Sequence, residues 1–374
     1  MSANATEVET LTRRLVSIPS YDDESAAGDA IESWLREATD TTVRRDEHGN
    51  VFARRGEGAT SLALVGHHDV VEPDESQRRG EGADENGQAG GEYRVEKRDG
   101  RLYGRGTADM KGSLAAAMLA FRDADPAGEL VFASFVGEEQ GGVGARAAIS
   151  DGFAPDYAVV GEGSTNYAGD DQTDVVVAHY GRRGSTITAR GTAAHASEPE
   201  AGENAVYRAC DAVDVVRALE VPTATVLGQT VGGSLVVTEI EGGDAWNVVP
   251  KSCTVTVDER TVPGERAALE RVESVDGVEW TVDQDLPPMA CDDPDFAEAA
   301  LASADAAQSA TPEHVSKPHA TDAGWLADAG TTCVVLGASE PGEAHTAHES
   351  VSIEVIERCR RCYLSLAERW PPGT

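Results

Sequence analysis

The sequence is short of lysine: Lys97, Lys111, Lys251 and Lys317 are the only four, and nearly all the remaining positive charge is arginine. With 66 acidic against 31 basic residues the formal net charge is −35. So acidic a surface repels polyanions, which argues against nucleic acid and anionic membranes as partners. Salt makes such self-repulsion tolerable, and the composition reads as a salt-adapted surface of the kind a halophile's cytoplasm demands. Long apolar runs are missing too. The stretch from Met1 to Pro19 reads as an amphipathic helix with Leu11, Leu15 and Ile18 on one face, neither a secretory signal nor a membrane span. The six cysteines are scattered. Only Cys359 and Cys362 are close, and no second pair completes a cysteine zinc site, so reduced thiols and a cytoplasmic protein are expected. Two nucleophile and nucleotide signatures are also absent, the Gly-x-Ser-x-Gly elbow and the Gly-Lys-Ser/Thr loop. Gly104-Arg-Gly106-Thr-Ala-Asp109 starts like a dinucleotide fingerprint but ends in aspartate.

What is present is enough apolar residue, 40% of 374, for a sizeable core split over two domains. Strand-like runs at Leu62–Val65, Leu130–Val136, Tyr157–Val160 and Cys333–Leu336 alternate with helical stretches such as Leu114–Ala124 and Gly144–Ser150. That alternation predicts an α/β catalytic domain whose mostly parallel central sheet is flanked by helices. The middle of the chain changes rhythm. Strands at Ser185–Arg190, Leu235–Ile240, Cys253–Glu259 and Val278–Val282, with helices at Asn204–Leu219 and near Gly264–Val272, follow a β-α-β-β-α-β order. An inserted ferredoxin-like α+β domain is expected at 180–288, interrupting a discontinuous domain of 1–179 and 289–374. Pro73–Glu92, rich in Gly, Asp and Glu, reads as a long exposed loop.

The chemistry sits at the ends of the apolar runs. Leu62-Ala-Leu-Val-Gly leads into His67-His68-Asp69, Phe132-Ala-Ser-Phe-Val-Gly into Glu138-Glu139, Tyr157-Ala-Val-Val-Gly into Glu162, and Val334-Val-Leu-Gly into a loop reaching His345. Ligands of open parallel sheets bind beyond the carboxyl ends of the strands, so if these strands are neighbours the polar tips converge. Carboxylates brought that close cannot all stay ionised unless a divalent cation relieves them. Imidazole with carboxylate oxygen suits zinc, or cobalt or manganese in its place. Alternate residues share a face of an extended chain, so His67 and Asp69 can point together while His68 points away. Asp69 either accepts the second N–H of His67 or orients the ring less directly. Of the vicinal pair Glu138-Glu139, one can bind metal while the other faces the open position as general base. Asp109, in a glycine-rich loop, could bridge two metals.

These residues resemble the M20 family of metallo-amidohydrolases and peptidases, whose members include succinyl-diaminopimelate desuccinylase, acetylornithine deacetylase and carboxypeptidase G-type enzymes. The likeness runs along nearly the whole chain: Gly-His-x-Asp-Val-Val at 66–71, Tyr-Gly-Arg-Gly-x-x-Asp-Met-Lys-Gly at 103–112, Glu138-Glu139, His195-Ala-Ser-x-Pro199, Asn247-Val-Val-Pro250, Arg260, and His345-x-x-His-Glu349. The resemblance implies two zinc sites, one using His67 and Glu162, the other Glu139 and His345, with Asp109 between them. It makes Glu138 the general base, Asp69 the residue behind His67, and His195 a group that stabilises the oxyanion in the partner subunit of a homodimer joined through the inserted domain. His348 takes the family's variable position.

For substrate the resemblance implies a small N-acyl amino acid. Gly181-Arg182-Arg183-Gly184-Ser185 looks like a desuccinylase stretch in which an arginine receives a succinyl carboxylate, and Asn247 and Arg260 look like substrate-carboxylate contacts. N-succinyl-diaminopimelate is therefore the first expectation. Asp258-Glu-Arg-Thr-Val-Pro-Gly-Glu265 is closer to deacetylases and carboxypeptidases, and the 73–92 loop replaces a Trp-x-x-x-Pro-Phe stretch common in desuccinylases. An N-acetylornithine-type deacetylase is thus the alternative, followed by a dipeptidase or carboxypeptidase and by a non-catalytic metal-binding homologue.

Overall fold

The computed structural model describes residues 5–78 and 92–371. Most of the 73–92 segment that reads as an exposed loop therefore lies outside the described residues. The part that is described is not wholly exposed: Gln77 is buried, and its Nε2 donates to the Thr346 carbonyl at 3.0 Å. The chain divides into two compact units, one comprising residues 1–178, 290–317 and 321–374, the other 179–289 and 318–320.

The first unit is built on a mixed, mostly parallel sheet. In spatial order its strands are Thr42–Arg45, Val51–Arg55, Glu129–Phe135, Ser61–His67, Tyr157–Val160, Thr332–Val335, Val175–His179 and Met289–Ala290, with His314–Lys317 also paired to Val175–His179. The middle four run parallel: Ser61–His67 pairs with Glu129–Phe135 on one side and Tyr157–Val160 on the other, and Tyr157–Val160 pairs with Thr332–Val335. The Thr42–Arg45 and Val51–Arg55 hairpin adds an antiparallel edge. Ser61–His67 and Val175–His179 are buried along their full length, as strands covered on both faces must be. Each fully buried Val or Leu there contributes about 2 kcal/mol.

The Gly112–Asp123 helix fills the space between this sheet and the Ile353–Arg369 helix. It is buried without interruption from Gly112 to Phe121. Its run of alanines lets it approach both layers, and for the same reason it carries little amphipathic signal. The amino-terminal helix spans Glu7–Ser17 and buries Leu11 and Leu15; Ile18, expected on its apolar face, is instead the extended residue that ends it. Cys359 and Cys362 are free thiols in the core.

In the second unit a four-stranded antiparallel sheet has the order Ser234–Gly242, Ser252–Thr261, Gly181–Arg190, Val278–Leu286. The Ala205–Arg217 helix packs its Ala205, Ala209, Ala212 and Val216 against Ile187, Val255 and Val257. Asn204 caps it, its Oδ1 accepting from the Val206 and Tyr207 N–H groups. An unexpected hairpin, Thr223–Val226 with Gln229–Gly232, precedes the edge strand. The helix expected near Gly264–Val272 is a short 3-10 turn at Leu269–Ser274. The reason is a buried ion pair that claims the backbone just before it. Arg183 Nε sits 2.6 Å from Glu259 Oε2 and its Nη2 donates to the Ala267 carbonyl, while Glu259 Oε1 accepts the Ala267 N–H.

Removing one partner of a buried pair leaves an uncompensated charge, which costs about 3–5 kcal/mol. Arg183→Met is expected to lower the unfolding free energy by that amount, read from the midpoint of denaturant unfolding followed by circular dichroism.

Candidate metal centre

The four parallel strands at the middle of the sheet are the four whose ends carry the acidic and imidazole residues, so all the tips emerge side by side. Two glycines show how tightly they are brought together. Gly137 takes φ +59°, turning the chain after Glu129–Phe135 so that Glu138 and Glu139 follow immediately. A Cβ on Gly337, just past Thr332–Val335, would stand 2.0 Å from the Gly161 carbonyl oxygen of the neighbouring strand end.

His67 lies at the centre and is buried. Its Nε2 is 3.1 Å from Asp109 Oδ1 and 3.2 Å from Glu162 Oε1, and its Nδ1 is 3.2 Å from Asp69 Oδ1. Asp109 turns its other oxygen to His345, whose Nε2 lies 3.1 Å from Asp109 Oδ2 and 2.8 Å from Glu139 Oε1. His345 is held in the left-handed region at φ +65°, which costs a non-glycine residue about 1–2 kcal/mol and aims the ring back at the strand ends. Potential donor atoms of His67, Glu138 and Glu162 lie within 4.8 Å of one another, as do those of Asp109, Glu139 and His345. His68 points away, as expected, with Nδ1 2.8 Å from Ser134 Oγ. Burial drives its pKa down to about 3.

Left to themselves, these groups are in electrostatic conflict. Desolvation, with Asp322, Glu162 and Glu139 nearby, pushes Glu138 well above the usual carboxylate range. Glu139 is raised as well, chiefly by burial. Burial opposes a charge on His67, yet Asp69, Asp109 and Glu162 hold its pKa well above the ordinary value. Hydrogen bonding to Asp109 and Glu139 raises His345 to about 10. Asp109 is buried, which would raise it, but contacts with His345 and His67 bring it down. A cluster in which both imidazoles are pressed to gain protons and Glu138 and Glu139 to keep them fits a divalent cation, which replaces those protons as the counter-charge. The donor set, imidazole nitrogen and carboxylate oxygen, is that of zinc or a similar first-row ion.

Three supporting residues escape a reading of the sequence. Glu349 is buried; its Oε1 accepts from the Ala108 and Asp109 N–H groups at 2.9 and 3.1 Å, and its Oε2 lies 2.6 Å from Arg105 Nη1. It thereby fixes the backbone that carries Asp109. Asp322 is a buried carboxyl at the start of the Asp322–Asp328 helix, beside Gly142, with neither oxygen meeting a hydrogen-bond donor among the described residues. Burial raises it to about 8. Lys317 is buried with Nζ 2.9 Å from the Gly163 carbonyl and 3.5 Å from Glu162 Oε2. Burial alone would lower its pKa, but Glu162 beside it, with Tyr167 and Asp109, raises it. Glu349 closes the His345-x-x-His-Glu motif, which does not reveal its contact with the Asp109 backbone; Asp322 and Lys317 come from stretches with no local pattern to mark them.

His195, Arg182, Asn247 and Arg260 belong to the second unit. His195 is exposed, with Nδ1 2.6 Å from Ser197 Oγ, and its backbone forms an isolated antiparallel bridge with Val248, next to Asn247. Arg182 and Arg260 are cross-strand partners that share one carboxylate: Arg182 Nε is 2.6 Å from Asp258 Oδ2 and Arg260 Nε 2.9 Å from Asp258 Oδ1.

The fold and this cluster define a hydrolase class, and comparison with known proteins identifies it. Residues 63–369 match Peptidase family M20/M25/M40, and the chain belongs to that family. It is 31% identical over 230 residues to a succinyl-diaminopimelate desuccinylase from Acidiphilium cryptum, covering 58% of this chain and 57% of that protein. It is 29% identical over 331 residues to an acetylornithine deacetylase from Myxococcus xanthus, covering 81% of this chain and 78% of that one. The chain thus spans less than two thirds of the desuccinylase. Among solved structures, aminopeptidase PepT from Bacillus cereus superposes with a TM-score of 0.75 at 20% identity, over 96% of this chain and 97% of that one. A dinuclear metal-binding peptidase of the M20 family from Bacillus subtilis gives 0.68 at 16% identity, over 96% of each chain. At those identities the structural likeness establishes the fold.

Outer groups that hold a ligand in place typically change metal affinity about ten- to a hundredfold. Glu349→Ala is expected to weaken metal binding by that factor, measured by chelator competition, with circular dichroism confirming the fold.

Proposed function

We propose that the protein is a dizinc amidohydrolase that removes the acyl group from a small N-acyl amino acid, with N-succinyl-diaminopimelate as substrate and succinate and diaminopimelate as products. The observation that carries this reading is the convergence of His67, Asp109, Glu138, Glu139, Glu162 and His345 beyond four adjacent parallel strands. His67 and Glu162 would hold one zinc, and Glu139 and His345 the other. Asp109 would serve both, since its two oxygens already face the two histidines. Cobalt or manganese could take the same places. Bound there, the ions would supply Lewis acidity and make a water acidic enough to ionise near neutral pH.

The chain's own residues do the rest. Glu138 takes the proton of the attacking water and returns it to the leaving nitrogen. Asp69 orients His67 and is itself fixed by the Glu139 N–H at 3.0 Å. His195 donates to the developing oxyanion, reaching the site of a partner subunit. Arg182, Asn247 and Arg260 receive substrate carboxylate. The two arginines keep about 40% of their side-chain surface exposed, and besides Asp258, Arg182 donates from Nη1 to Gln284 Oε1 at 2.8 Å.

A homodimer through residues 180–288 belongs to the same reading. It is supported by exposed Tyr207, Val236, Ile240 and Trp246 in the second unit. The charge of −35 supports a salt-rich cytoplasm as the working environment. The longer match to the acetylornithine deacetylase favours a second reading, in which the acyl group is acetyl.

Purified protein assayed in high salt is expected to release succinate from N-succinyl-diaminopimelate faster than acetate from N-acetylornithine. The reverse preference selects the second reading, and hydrolysis of neither with free dipeptides cleaved instead rejects both. Glu138→Gln is expected to lower kcat by about 10²–10⁴ while metal content measured by plasma emission stays unchanged; loss of metal in that variant would make Glu138 a ligand and not the base.

A further inference from the structure

Glu162 divides its two oxygens. Oε1 lies 3.2 Å from His67 Nε2, within the metal-binding cluster, while Oε2 faces Lys317 Nζ at 3.5 Å. The lysine is fixed: its side chain is buried, it ends the His314–Lys317 strand, its Nζ donates to the Gly163 carbonyl at 2.9 Å, and it lies 5.9 Å from the centre of the Tyr167 ring. Desolvating an ammonium is costly unless it is paired, and the groups that pair it are Gly163 and Glu162.

The choice of residue is informative. Nearly all positive charge in this chain is arginine, and Lys317 is one of four lysines. An arginine fork engages both oxygens of a carboxylate, whereas an ammonium is a compact point charge that can take one oxygen and leave the other. We propose that Lys317 is a positioning residue that restricts Glu162 to a single ligand oxygen and weakens its hold on the ion it shares with His67. A catalytic metal site must keep a coordination position open. A second Glu162 oxygen turned inward would fill it, and Lys317 prevents that turn. The inference rests on the metal-centre reading above.

The test is titration of metal-free protein with Co2+ against a competing chelator, followed by visible absorption, in wild type, Lys317→Met and Lys317→Gln. Both variants remove the charge; glutamine keeps a donor for the Gly163 carbonyl. Both are expected to bind the Glu162-side ion about tenfold more tightly, the effect of removing a nearby positive charge, with a weaker cobalt absorption band as the coordination number rises, and with reduced kcat. If wild type binds Co2+ and both variants match it in affinity and spectrum, the role of Lys317 is overturned while the metal centre stands. Weaker binding in both, or a change in methionine alone, also overturns it, because packing and not charge would then be the cause. If wild type itself takes up no Co2+, the metal-centre reading fails first. Should the methionine variant not fold by circular dichroism, the glutamine variant decides alone.

Discussion

The structure is organised around negative charge held where a folded chain would ordinarily avoid it. Asp69, Asp109, Glu138, Glu139, Glu162 and Asp322 gather at one end of a sheet, with His67 and His345 among them. Several are desolvated, so their repulsion is poorly screened. The fold holds them together with a buried sheet, covered by the Gly112–Asp123 helix, and with short glycine-rich turns that allow no retreat. A cation relieves that conflict directly, so fold and chemistry are one problem: the core supplies the rigidity that the site's charge works against.

The supporting residues divide that task. Glu349 carries the backbone of Asp109 through two N–H groups and is itself neutralised by Arg105. Asp69 joins two strand ends, facing His67 with one oxygen and the Glu139 N–H with the other. Lys317 offsets Glu162 from outside the cluster. In the second unit the Arg183–Glu259 pair does purely structural work, whereas Arg182 and Arg260 share a single acid and remain partly open. Neighbouring arginines in one sequence motif thus have different surroundings, decided by which face of the strand they occupy.

Much of this was legible in the sequence, for a physical reason. Fully buried strands need unbroken apolar runs, and each run ended abruptly in polar residues that a core would not tolerate, so His67, Glu138, Glu139 and Glu162 announced themselves. Asp109 and His345 lie in loops, and the family resemblance singled them out more sharply than periodicity could. The parts that stayed hidden depend on contacts across long sequence separation. Lys317 meets Glu162 and Glu349 meets Asp109 only after the sheet has assembled. The 3-10 turn at Leu269–Ser274 replaced a helix because a buried ion pair outcompeted local propensity, and no single-residue preference reports such a pair.

The central claim is that these side chains hold two metal ions between the strand ends. Anomalous diffraction at the zinc edge, from crystals grown with zinc, tests it most directly. The account predicts two peaks, one against His67 and Glu162, the other against Glu139 and His345, with Asp109 touching both. A map with no peak there, or with zinc bound only elsewhere on the acidic surface, would contradict it.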